Sequence, residues 1–141
     1  MFLTDGGVVL SATDLTNATA CEWAVLRRLD AKLGRVVAVP DPADAMLDRA
    51  AALGTAHEAR QLAAYRERFG ADRVAAIPEP DRHNPAALLA AQQQTLDALA
   101  SDAAVVLQAT LFDGSFLGFA DFLVRAGDVW EVYDTKLARR A

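Results

Sequence analysis

Asp121, Asp134 and Lys136 fall near the end of a 141-residue chain, in the runs Gly118-Phe-Ala-Asp121 and Tyr133-Asp134-Thr-Lys136. Two carboxylates and an ammonium held together suit a hard divalent cation that also polarises a phosphate, because Mg²⁺ takes one or two carboxylates and keeps several waters. Farther upstream, Gly54-Thr-Ala-His57-Glu58 places an imidazole beside a carboxylate. Cys21 is the single cysteine, so it makes no internal disulfide, a usage that argues for a reducing compartment. Of the 14 basic residues only Lys32 and Lys136 are lysines; the others are arginine. A merely structural cation at position 136 would be expected to be arginine.

Whether these groups meet depends on the strands that carry them. From Ala104 the chain turns β-branched and aromatic, punctuated by Asp113-Gly114 and Gly127-Asp128, which predicts a three-stranded antiparallel meander. Two-residue hairpin turns fix register. A turn at Asp113-Gly114 sets Phe112 opposite Ser115 and Gln108 opposite Phe119. A turn at Gly127-Asp128 sets Ala126 opposite Val129 and Asp121 directly opposite Asp134. Facing carboxylates have Cβ atoms about 4.5–5.5 Å apart and destabilise a sheet, so a compensating cation is expected. Lys136 follows on the same face, about 6.6 Å along the strand from Asp134.

Alternation groups Leu117, Phe119, Asp121 and Leu123 with Trp130, Val132, Asp134 and Lys136. The other face carries Leu107, Ala109, Leu111, Phe116, Ala120, Phe122, Val124 and Tyr133 and is expected to pack against helices. A solvated Asp is common on an exposed sheet face, but Phe119, Leu123 and Val132 beside Asp121 argue against full exposure. A plain surface pair of Asp134 and Lys136 would be worth little.

Upstream, capping residues at Ser11-Ala-Thr-Asp-Leu open a helix predicted over Thr13–Lys32. Two prolines make residues 36–42 a connector. A long helical pattern runs over Asp44–Phe69, with Gly54 a candidate break and Gly70 a stop. A strand is expected over Arg73–Ile77, then a proline-rich loop with a solvated His83, then a helix over Ala86–Ala100 with Gln92 to Gln94 on its exposed side. Trp23 and Trp130 are expected in core or rim packing. Arg27, Arg28, Arg35, Arg139 and Arg140 suit either a DNA track or a solvated face.

At 53% hydrophobic residues and this length, one domain over 1–141 is expected. The net charge of −5 argues against a broad nucleic-acid-coating surface without excluding a local basic track. The start lacks a signal-peptide pattern and no apolar run nears the roughly 20 residues of a membrane span, so a soluble, cytoplasmic protein with no membrane partner is expected.

His57-Glu58 on a helix, Gly118-Phe-Ala-Asp121 on a strand and Tyr133-Asp134-Thr-Lys136 on the next, in that order, resemble the RecB-like branch of the PD-(D/E)XK nucleases. The likeness extends to Ser11-Ala-Thr-Asp-Leu and to the run from Asp134 to Arg140. It implies an α/β, restriction-endonuclease-like core with N-terminal helices on the meander, and an enzyme that hydrolyses DNA phosphodiesters with Mg²⁺ or Mn²⁺. By position it assigns metal ligation to His57, Asp121, Asp134 and the Thr135 carbonyl, catalysis to Lys136 with Asp121 and Asp134, and a lesser role to Glu58. The family continues into a helix bearing Gln-x-x-x-Tyr, whereas this sequence stops at Ala141. It is therefore expected to be the front part of such a domain, truncated at its C-terminus and weakly active or inactive by itself. Cys21 resembles the first ligand of iron–sulfur relatives; a cluster needs four thiolates, so none is expected in this chain. The alternative is a noncatalytic nucleic-acid-binding or partner-docking module on the same scaffold.

Overall fold

Cap and turn chemistry sets most of the element boundaries. A computed structural model of the chain describes residues 1–4, 6–39 and 43–135, the side chain of Asp48 excepted. In order, the elements are β1 (Phe2–Thr4), β2 (Gly7–Ser11), α1 (Ala12–Ala20), α2 (Glu22–Lys32), α3 (Ala45–Phe69), β3 (Val74–Ala76), α4 (Pro85–Ala100), β4 (Val105–Phe112), β5 (Phe116–Ala126) and β6 (Val129–Tyr133). The Asp44 carboxylate accepts the Met46 and Leu47 amides at 2.9 and 3.3 Å and starts α3. Gly70, at φ 90°, stops it. Asn84 caps α4 in the same way, accepting from Ala86 and Ala87, with Pro85 in the first turn.

The single helix expected over Thr13–Lys32 is two, because Cys21 adopts extended backbone between α1 and α2. The residues before it explain the break. Thr16 and Thr19 turn their hydroxyls back onto the carbonyls of Ala12 and Thr16, a local competition that weakens helix in a Thr- and Asn-rich stretch. Gly54 does not interrupt α3.

The protein is α/β, with a six-stranded mixed sheet ordered β1-β2-β5-β4-β3 and β6 also paired to β5. The antiparallel meander β4-β5-β6 is its centre. The second hairpin has the expected register, from Ala126↔Val129 to Phe122↔Tyr133. The first differs. Phe112 pairs with Leu117, so Gly114 (φ 93°) and Ser115 form the turn, and the Asp113 carboxylate accepts the amides of Ser115 and Phe116 at 2.8 and 2.7 Å.

Helices cover both faces of the sheet. Leu62, Tyr65 and Phe69 of α3 pack on Val105 and Phe122. Ala91, Ala98 and Leu99 of α4 pack with Val106, Ala109, Ala120 and Leu123, Trp130 lying at the rim. Ala120 and Phe122, expected on one face, thus belong to different clusters; alternation is interrupted at Gln108, whose φ is 54°. No side chain of α1 or α2 joins these clusters, and Trp23, expected in packing, is 68% exposed.

The outer edge of β4 beyond β3 is closed by side chains of α4. Thr95 Oγ1 accepts the Thr110 amide at 3.0 Å, and Gln92 Oε1 accepts the Phe112 amide. Gln92 therefore faces the sheet rather than solvent. This satisfies donors an edge strand would otherwise expose. No helix among the described residues is long and apolar enough to cross a membrane.

Candidate functional site

Strand β5 is flanked by β4 along one edge, but two strands share its other edge. Parallel β2 pairs with Phe116 and Leu117, and antiparallel β6 pairs with residues from Phe122 onward. Between them, from Gly118 to Asp121, that edge has no strand partner among the described residues. A cleft of about 540 Å³ opens there, lined by Gly118, Phe119 and Asp121, by Ser11 to Thr13 at the start of α1, and by Gln108 on β4. Diverging neighbours of one strand leave such a crevice for the reason that strand-order reversals do in open α/β sheets.

Asp121 is half-buried, and its Oδ2 accepts both the backbone amide of Thr135 at 2.9 Å and the Thr135 hydroxyl at 3.0 Å. The register of β6, carried one step past Phe122↔Tyr133, sets Asp134 opposite Asp121 as expected, although the ladder itself stops at Tyr133 and Asp134 is exposed. Thr135 is thus the described group that answers the Asp121 charge. Lys136, expected to do so, lies outside the described residues, as do Arg139 and Arg140.

The corrected first hairpin brings a different residue to Asp121. Between Leu107↔Phe122 and Ala109↔Ala120 the register sets Gln108, not Phe119, opposite it. The Gln108 amide donates to Glu58 Oε1 at 2.5 Å, so α3 and the Asp121 strand are joined through this side chain. His57 is half-buried on α3, with Nδ1 3.5 Å from the Arg60 guanidinium. Neither His57 nor Glu58 lines the cleft itself.

Residues that sequence reasoning left aside also line the cleft. Arg82 sets its guanidinium 4.8 Å from the Phe119 ring centre and pairs with Glu79 at 2.8 Å. His83, exposed as expected, packs edge-on against Phe2 at 5.8 Å. Behind the opposite wall Asp14 takes the Met1 α-amine at 2.5 Å and the Ser11 amide and hydroxyl at 2.9 and 2.6 Å. Burial pushes the Asp14 carboxyl up, but these donors and the ammonium charge outweigh it and hold the group below its usual 3.8.

Among the described residues no three His, Cys, Asp or Glu side chains gather closely enough to hold a metal ion. The donor chemistry nevertheless fits Mg²⁺ or Mn²⁺. Asp121 keeps one carboxylate oxygen beyond the pair of Thr135 bonds, Glu58 keeps one beyond the Gln108 bond, and Mg²⁺ needs only one or two carboxylates with waters and substrate oxygens completing its shell. No family model, no curated protein and no solved structure matches the chain.

Proposed function

We propose that the protein is a metal-dependent nuclease that hydrolyses DNA phosphodiester bonds on a restriction-endonuclease-like core. The observation that carries this reading is Asp121, half-buried at the unpaired edge of β5, with its carboxylate ordered by Thr135. Asp121 and Asp134, with Glu58 or His57 from α3, are the residues that would hold the ion. Bound there, Mg²⁺ or Mn²⁺ supplies a water of lowered pKa and charge to offset that developing on the phosphorus oxygens.

The chain's own groups do the rest. Thr135 fixes the rotamer of Asp121 by a two-point hydrogen bond, so its second oxygen is presented without further ordering cost. Arg82 contributes a fixed positive charge at the cleft wall, where a phosphate would be drawn. Lys136 is assigned the orientation of the attacking water.

The absence of a three-ligand cluster among the described residues favours a second reading, a noncatalytic nucleic-acid-binding or partner-docking module. One experiment separates them. Purified chain is incubated with single- and double-stranded DNA in Mg²⁺, Mn²⁺ or EDTA, and cleavage and binding are both read. Cleavage that needs metal and is lost in Asp121→Asn supports the nuclease. DNA binding that is indifferent to EDTA, without cleavage, sinks it in favour of the module.

A further inference from the structure

We infer that Gln108 is the positioning residue of this cleft: its side-chain amide holds the Glu58 carboxylate to the Asp121 strand so that both carboxylates serve one cation. The inference rests on the metal-dependent reading above and adds a residue to it. Gln108 is the one non-glycine residue with positive φ among the described residues. That backbone costs any L side chain energy, and such strain persists only where surrounding contacts over-determine it.

The surrounding contacts are unlike those of a core residue. The β4–β5 partners run on either side of Gln108, but the position itself, opposite Asp121, is skipped. Its amide reaches a carboxylate 50 residues away on α3. Gln108 lines the cleft that Asp121 lines, while Glu58 does not. Its neighbours Val106 and Leu107 are apolar, so filling space would not require an amide.

The choice of an amide is informative. Arg or Lys at this position would cancel the Glu58 charge. A neutral N–H donor orders the carboxylate, occupies one oxygen and leaves the negative charge and the other oxygen for a cation. Glu58 needs such a tie, since α3 is anchored in the core by Leu62, Tyr65 and Phe69, all beyond it in sequence.

The test is titration of the chain with Mn²⁺ alone, by calorimetry, with melting followed in EDTA. Glycine adopts positive φ without penalty, so Gln108→Gly should melt no lower than the parent in EDTA yet bind Mn²⁺ roughly 10–100-fold more weakly, the usual loss for an outer-shell partner. Glu58→Gln should lose a similar factor, and the double variant should be no weaker than Glu58→Gln alone. If glycine loosens the strand, Gln108→Asn replaces it. Asn accepts this backbone readily but its amide is a methylene short, and Mn²⁺ affinity should again fall. Parental affinity in the Gln108 variants, with binding lost in Asp121→Asn, would overturn the role of Gln108 and leave the cleft reading standing. Losses that add in the double variant would also overturn it. A parent that binds no Mn²⁺ would overturn the cleft reading and this inference together.

Discussion

The sheet half of the molecule and its helical front are stabilised by different physics. In the sheet half Leu88, Val105, Val106 and Phe122 are completely buried, and each such side chain contributes roughly 1.5–3 kcal/mol. In the front, formed by α1, α2 and the opening turns of α3, α2 buries no residue and Asp14 alone is buried in α1. Val37 and Met46 are 91% and 80% exposed. What orders the front is local: the Asp44 cap, and the Arg27 and Arg35 contacts to Asp30 at 3.3 and 3.4 Å, each exposed pair worth at most about 1 kcal/mol. The site straddles the two. Asp121 sits on a strand locked by the core, while Glu58 and His57 sit where α3 passes from exposed to buried.

The strongest way to break this comparison is to truncate one apolar side chain in each half. Phe122 lies in the α3 cluster, its ring centre 5.0 Å from that of Tyr65. Phe122→Ala should cost about 3–5 kcal/mol, read as a fall in the urea midpoint. Leu26→Ala, at a half-exposed position on α2, should cost less than about 0.5 kcal/mol. Similar losses at both would show that the apolar front is covered in solution, and a concentration-dependent midpoint would identify the cover as a second copy.

A smaller effect is expected at the seam within the sheet half. Arg125 of β5 donates from Nε to the Ala103 carbonyl at 3.0 Å and from Nη2 to the Leu99 and Ser101 carbonyls at 3.0 and 2.7 Å, closing the C-terminal end of α4. Its guanidinium also lies 4.6 Å from the Trp130 ring centre. Arg125→Met keeps the stem but strands those carbonyls and should cost about 1.5–3 kcal/mol. Arg125→Lys should recover little of it, because an ammonium lacks the planar fork that reaches several carbonyls at once. Full recovery by lysine would show that charge near the helix end, rather than the fork, closes α4.

Legibility in the sequence follows the range of the interaction. Gly127-Asp128 is a local signal, and the register it implies is the observed one. Asp113-Gly114 was one residue out, because Asp113 serves better as the flanking acceptor for the next amides than as a central turn residue, which moves Gly114 to the first central position. That shift leaves the identity of Asp121 as a candidate intact but replaces its expected neighbour. The β1–β2 hairpin went unread, its strands being only 3 and 5 residues long, although Asp5-Gly6 between them is a turn signal of the same kind. The Gln108–Glu58 contact spans 50 residues, and no periodicity carries such a pairing. Its one trace in the sequence is a Gln inside the apolar run Val105–Phe112.

The smallest expected effect concerns how the front is fastened to the sheet. Asp14 joins α1 to the end of β2 through Ser11 and to Met1 through its α-amine. Its carboxyl is held below the usual 3.8, burial being outweighed by these partners. A carboxyl that is more acidic when folded adds stability that is complete above its unfolded value and is lost as pH falls through the lower folded one. Stability of the parent should therefore decline below about pH 4 in part through this group. Asp14→Asn should cost about 1 kcal/mol at neutral pH, the usual scale for a helix N-terminal cap, and should flatten the acid limb by the same amount, so that parent and variant converge at low pH. Chemical denaturation at neutral and acid pH measures both. Curves that stay parallel would show that the loss comes from packing around Asp14 rather than from its charge, and that the front is held to the sheet by shape alone.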